Sequence, residues 1–141
     1  MTRTFISVAA ILGGLSVAAG AFASHALREK LSEQALEIFE TAARYQMYHA
    51  LALLLVALLL SLLKEVAGAS TGVPLSRAEF PQPILIATGW LFIVGIAIFS
   101  GSLYALSLTG VKVLGAITPL GGAAFLAGWG ALAIAAWTFK Y

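Results

Sequence analysis

Apolar residues fill this chain in four long runs, roughly Phe5–Leu27, Tyr48–Leu63, Ile84–Leu108 and Val113–Phe139. A helix rises about 1.5 Å per residue, so about 20 apolar residues cross the hydrocarbon core of a bilayer. A membrane β-strand would alternate apolar and polar positions over about 10 residues. The stretch from Ala50 to Leu60 contains only Ala, Leu and Val and shows no such alternation. Helices remain, because backbone groups in lipid must be satisfied within their own segment. The pattern therefore predicts an all-α fold: one domain over residues 1–141, an integral membrane bundle of four transmembrane helices.

The polar positions refine this. Arg28–Met47 is the longest charged segment. Ser32 suits a helix N-cap and Glu33 its first turn. Leu36, Phe39 and Ala43 recur at helical spacing, with Glu33, Glu37, Glu40 and Arg44 around the rest of the surface. No Gly or Pro separates this stretch from the second apolar run. One helix from about Ser32 to Lys64, or two joined by a bend, is expected, its first half an amphipathic extension near the interface. Glu40 and Arg44 stand at i,i+4 in the favourable order, for about 0.2–0.5 kcal/mol. The glutamates read first as a solvated face, and second as a docking stripe for a partner. Glu65–Pro83 reads as a loop, with Pro81 and Pro83 blocking backward growth of the third helix. The short Thr109–Lys112 connection makes the last two helices an antiparallel hairpin.

Composition agrees. Hydrophobic residues make up 61% and charged residues 10% of the chain, against about 25% charge in soluble domains. Cysteine is absent, which excludes disulfides and Cys-ligated metals. The net charge of +2 is scattered, so no nucleic-acid partner is expected; the lipid bilayer is. Arg3 and Ala21-Phe-Ala23 resemble a secretory signal, but the apolar run exceeds the usual h-region of about 7–15 residues. Residues 1–23 are expected to stay as the first span, N-terminus inside. That orientation puts Arg3, Lys64, Arg77 and Lys140 inside and Arg28, Lys30, Arg44 and Lys112 outside, so the positive-inside rule does not choose.

Small residues stripe the spans, as in Ser16–Gly20–Ser24, Ala97–Gly101–Ala105 and Ala127–Ala131–Ala135. In lipid such residues let helices approach closely. Gly13, Gly14, Gly20, Gly101, Gly121, Gly122 and Gly128 are accordingly expected at helix contacts, with Pro119 kinking the fourth span. Leu12-Gly-Gly14 and Ala19-Gly20 share their spacing with Leu120-Gly-Gly122 and Ala127-Gly128. That is either an inverted repeat or coincidence in a Gly- and Ala-rich chain. The candidate polar cluster is His25, Arg44, Tyr45, Gln46, His49, Ser100, Ser102, Tyr104 and Thr118. The two histidines, placed on one side of the membrane, are the most chemically capable groups and are read as a structural network with Arg44, Tyr45 and Gln46. No metal or other cofactor is expected, and no nucleophile–base arrangement stands out.

Several segments together resemble a known family. They are Gly20-Ala-Phe-Ala-Ser-His25-Ala-Leu, then Phe39-x2-Ala42-x2-Tyr45-Gln46-x2-His49, Phe99-Ser-Gly-Ser-Leu-Tyr104, Gly115-x-Ile-Thr-Pro-Leu-Gly-Gly122 and Gly128-Trp129. The chain resembles domain-of-unknown-function family 423, small membrane proteins that include transmembrane protein 256. It departs at Ala23, where the family often has Gly, and in a longer Gly68–Pro83 loop. The resemblance implies four spans in a bacterial cell (inner) membrane or an organellar membrane, and no activity. The expected function is that of a non-enzymatic multi-pass accessory or assembly protein, as a homo-oligomer or with another membrane protein. The alternative is a carrier or channel for small molecules, ions or lipids using a polar site near His25 and His49.

Overall fold

The computed structural model describes residues 1–69 and 82–138. They form four long helices: α1 (Thr2–Phe22), α2 (Glu33–Ala69), α3 (Gln82–Thr109) and α4 (Val113–Thr138). All four are long and apolar enough to cross a membrane. The Ser32 hydroxyl accepts the Ala35 N–H at 3.2 Å, so the expected N-cap forms. α2 then runs unbroken through residue 69. The amphipathic stretch thus stands in line with the second span as its first turns. The expected loop begins later than Glu65; its remainder, 70–81, lies outside the described residues.

α1 continues into a π-helical turn, Ala23–Leu27. The Ser24 hydroxyl donates to the Gly20 carbonyl at 3.0 Å. At the hairpin, Gly110 has φ 72°. Only glycine adopts this left-handed conformation cheaply, and it ends α3.

The helices pack in chain order, α1 along α2, α2 along α3 and α3 along α4. α2 is the innermost, with 50% of its apolar window buried against 17% for α1 and 22% for α4. One apolar core joins all four helices, built on residues such as Phe5, Leu53, Val56, Leu85, Phe92 and Phe125.

The α3–α4 contact is an interleaving of phenylalanines and glycines. A Cβ on Gly128 would lie 2.6 Å from the Phe92 ring. A Cβ on Gly95 would collide with the Phe125 ring, and one on Gly121 with the backbone of Phe99. Each ring fills the space the facing glycine leaves, so the two helices approach closely. Phe5 fills the same kind of space at Gly89 and so ties α1 to α3.

The expected packing glycines therefore divide. Gly121 and Gly128 sit in tight contacts, and Gly122 is in loose contact with Phe99. A methyl added at Gly13, Gly14, Gly20 or Gly101 would meet nothing within 4 Å, so these four make no close helix contact among the described residues. α1 lies at the edge of the bundle, and its glycines face outward or sideways. The two Leu-Gly-Gly motifs thus play different roles. α4 passes through the exposed Pro119 as one continuous helix. Thr118 lies 3.4 Å from the Leu114 carbonyl, one residue before the Gly115 carbonyl whose i+4 donor Pro119 lacks.

Candidate functional site

The bundle centre is built around His49. Its place in α2 turns the ring toward α3 and α4, where it is buried. The ring stacks on Phe125 with centroids 3.4 Å apart and planes 6° from parallel. Phe92 leans on it at 5.6 Å, and Trp129 meets it edge-on at 6.2 Å. Trp129 Nε1 lies 3.2 Å from His49 Nε2. An indole N–H only donates, so Nε2 is the acceptor and the ring proton sits on Nδ1. Nδ1–H then donates to the Tyr45 carbonyl, 2.8 Å away. Both ring nitrogens are engaged in one tautomer.

A second polar layer joins α1, α2 and α3. Gln46, buried, donates from Nε2 to the Leu12 carbonyl at 2.8 Å and accepts the Tyr104 hydroxyl at 3.1 Å. Ser16 donates to the Ala43 carbonyl at 2.7 Å, and Ser107 to the Ala35 carbonyl at 2.7 Å. These bonds fix the register of α2 between its neighbours.

A third layer joins α3 to α4. Ser102 Oγ and Thr118 Oγ1 are 2.8 Å apart. Ser102 also reaches the Phe99 carbonyl at 3.0 Å, whereas Thr118 is 3.4 Å from Leu114. Each hydroxyl has one proton, so the shorter distances favour Thr118 donating to Ser102 and Ser102 donating to Phe99.

The predicted cluster is thus partly assembled and partly dispersed. Tyr45 flanks the centre, stacked over Phe99 at 4.7 Å with its own side exposed. His25 does not join. It is exposed on the π turn. Ser16 sits beside Ala43, so nine residues of α1 carry His25 one way and six of α2 carry His49 the other. That sets them about 22 Å apart along the helix axes. The expectation that they share one level fails because α2 starts at Glu33, which brings His49 to mid-span. Arg44 also points away; its Nη2 donates to Thr41 Oγ1 at 3.2 Å. The expected Glu40–Arg44 pair does not form, and the described residues contain no ion pair to Arg44. Ser100 is fully buried, and its hydroxyl has no hydrogen-bond partner among the described residues.

Ser107, Phe92, Phe125 and the Leu12 carbonyl escape sequence reasoning; Ser16 enters it only as a small residue of a stripe, and Trp129 only within a motif. A backbone acceptor carries no residue-type signal, and apolar rings in an apolar chain look like any core residue.

Two recesses flank these layers. One, of about 440 Å³, is a mainly apolar groove between α1 and α3 with Gln46 and Tyr104 at its floor. The other, of about 500 Å³, lies under the π turn among Ser24, Arg28, Glu33 and Glu40. Among the described residues, no group of three or more His, Asp or Glu is placed to hold a metal.

Four apolar spans with a buried, hydrogen-bonded histidine and glutamine at mid-depth define a multi-pass integral membrane protein. The profile of the family described as "Protein of unknown function (DUF423)" matches residues 19–122, and the chain belongs to that family. It is similar to a UPF0382 membrane protein of Staphylococcus haemolyticus, 40% identical over 99% of this chain and 98% of that protein. It is 40% identical to the UPF0382 membrane protein YwdK of Bacillus subtilis, over 95% of this chain and 96% of that one. A UPF0382 membrane protein of Staphylococcus aureus is 42% identical over 99% and 98%. No solved structure matches the chain.

Proposed function

We propose that this protein is a non-enzymatic accessory or assembly protein of the bacterial cell membrane, acting by association with another membrane protein. The observation that carries this reading is the outer face of α1. Ser7, Ala10, Gly14, Ala18 and Ala21 follow one another at helical spacing, and all are exposed. Nothing lies within 4 Å of a methyl added at Gly14. Small residues that permit close approach are thus left unused among the described residues, on a helix that the bundle itself buries little. The mid-depth polar groups speak against a carrier: His49, Gln46 and Tyr104 bond to one another's elements and to backbone.

The test is a photo-crosslinking residue at Ala18 in cells that normally carry the protein. The expected result is an adduct with one defined membrane protein, lost in Gly14→Leu and absent with the probe at Leu126. Adducts with lipid alone at Ala18 would overturn the reading.

A further inference from the structure

We propose that two copies of this chain pair in the membrane through the outer face of α2, Glu40 of each copy binding Arg44 of the other. The pairing uses a face that α1 does not form, and it stands whether or not the accessory reading holds.

The first observation is an exposed cation at depth. Arg44 follows Ala43, whose carbonyl Ser16 binds, and Ser16 stands about midway along the first span. Five residues further on, His49 is stacked on Phe125, about midway along α4. Arg44 therefore leaves α2 within about 8 Å of mid-membrane. It is exposed, and its bond is to the neutral Thr41 hydroxyl. Charged side chains at such depth almost always face a bundle interior or a counter-charge. Among the described residues Arg44 has neither, which points to a partner from outside them.

The second observation is the apolar seam that continues from it. Tyr48, Leu51, Leu55, Leu58 and Leu62 are all large, and all about half exposed, between 45% and 57%. Their spacings of three and four alternate, so Tyr48, Leu55 and Leu62 repeat every seven residues, as do Leu51 and Leu58. A 3.5-residue repeat keeps one seam facing a second helix along its length, which is the geometry of a coiled coil; in lipid it permits close packing, and the charges select the partner. Nothing else in the described chain covers this seam, because α1 and α3 hold the opposite side of α2 through Ala43, Gln46 and His49.

The third observation selects a second copy as the occupant. Copies inserted in one orientation place their α2 helices parallel, related by a two-fold axis along the membrane normal. The bond to Thr41 carries the Arg44 guanidinium about one turn toward the start of α2. That is the level of Glu40 on a parallel neighbour. Glu40 is exposed at the edge of the same face, on the rim of the recess it shares with Arg28, and is not paired with Arg44 of its own chain. The two-fold axis then makes the contact twice, which neutralises both buried-depth cations at once. Glu33 and Glu37 lie on this face nearer the helix start, toward the bilayer surface, where water screens their mutual repulsion.

The chain has no cysteine, so single cysteines report contacts cleanly. The full-length protein is oxidised in membranes after Leu51→Cys, Leu58→Cys or, as a control, Leu126→Cys on the lipid side of α4. Disulfide dimers are expected for most of the protein with the first two and at least tenfold less with the control. In the Leu51→Cys background, Arg44→Glu should lower dimer yield at least fivefold. Adding Glu40→Arg should restore it to within twofold, since the pair is merely exchanged. Equal yields at Leu51 and Leu126 would overturn the proposal. So would a double exchange that keeps its helix content in detergent yet does not restore dimers, or adducts of the Leu51 thiol solely with other proteins.

Discussion

At the residue scale, the mid-membrane polar groups differ by whether the chain itself satisfies them. His49 has a donor and an acceptor in place and rings on three sides. Hydrogen bonds inside membranes average about 0.6 kcal/mol, so most of its contribution is packing. His49→Phe should therefore cost about 1–2 kcal/mol, chiefly for the Trp129 N–H left unpaired. His49→Ala opens a cavity against Phe125 and should cost about 3–5 kcal/mol. Thermal unfolding in detergent measures both; equal losses would show that the ring stack contributes little. Arg44 is the contrary case. An arginine at a helix centre in lipid costs about 2.5–3.5 kcal/mol. Its lean toward Thr41 is the snorkelling that reduces this. Both side chains are visible as candidates in the sequence. Their opposite directions are not, because they depend on which faces of α2 its neighbours cover.

At the element scale, glycine has two uses here that look alike in the chain. Gly121 admits the backbone of Phe99, so Gly121→Ala forces α3 and α4 apart. Overpacking of this kind costs about 1–3 kcal/mol. Gly13 has open space at the same atom, and Gly13→Ala gains about 1 kcal/mol of helix propensity. Opposite shifts in thermal midpoint are the expected outcome, and a loss for both would mean that α1 has a packing partner at Gly13. Gly89 and Gly95, which receive Phe5 and Phe125, carry no motif that separates them from the free glycines. The helices themselves are largely legible. The Ser32 cap, the α3–α4 hairpin and the four spans all follow from caps, breakers and apolar length. The continuity of α2 is legible too, but its consequence for the level of His49 is not, because apolar length alone starts the second span at Tyr48 rather than at Glu33.

At the scale of the whole molecule, four spans return the chain to its starting side. The π turn near Lys30 and the hairpin at Lys112 then share the opposite side, while Thr2 lies with the far end of α2. With four basic residues assigned to each side, charge does not orient the bundle. An inside N-terminus, expected from the signal-like start, predicts that cysteine at Lys112 reacts with an impermeant maleimide in intact cells. Cysteine at Thr2 should react only after permeabilisation, and the reverse pattern would invert the bundle. The sequence by itself determined that lipid is the solvent, that the structure is helical and that there are four spans, because backbone groups in hydrocarbon leave no other choice. It also identified the family through its polar and glycine motifs. Only the tertiary structure decided which of those polar and small residues are used up internally. That choice rests on the rotation and level of each helix, set by a few contacts such as Gln46 to Leu12, Ser16 to Ala43 and Phe99 to Gly121. Hydropathy is blind to both quantities, since lipid rewards every apolar face equally and distinguishes helix faces only through close packing and hydrogen bonds.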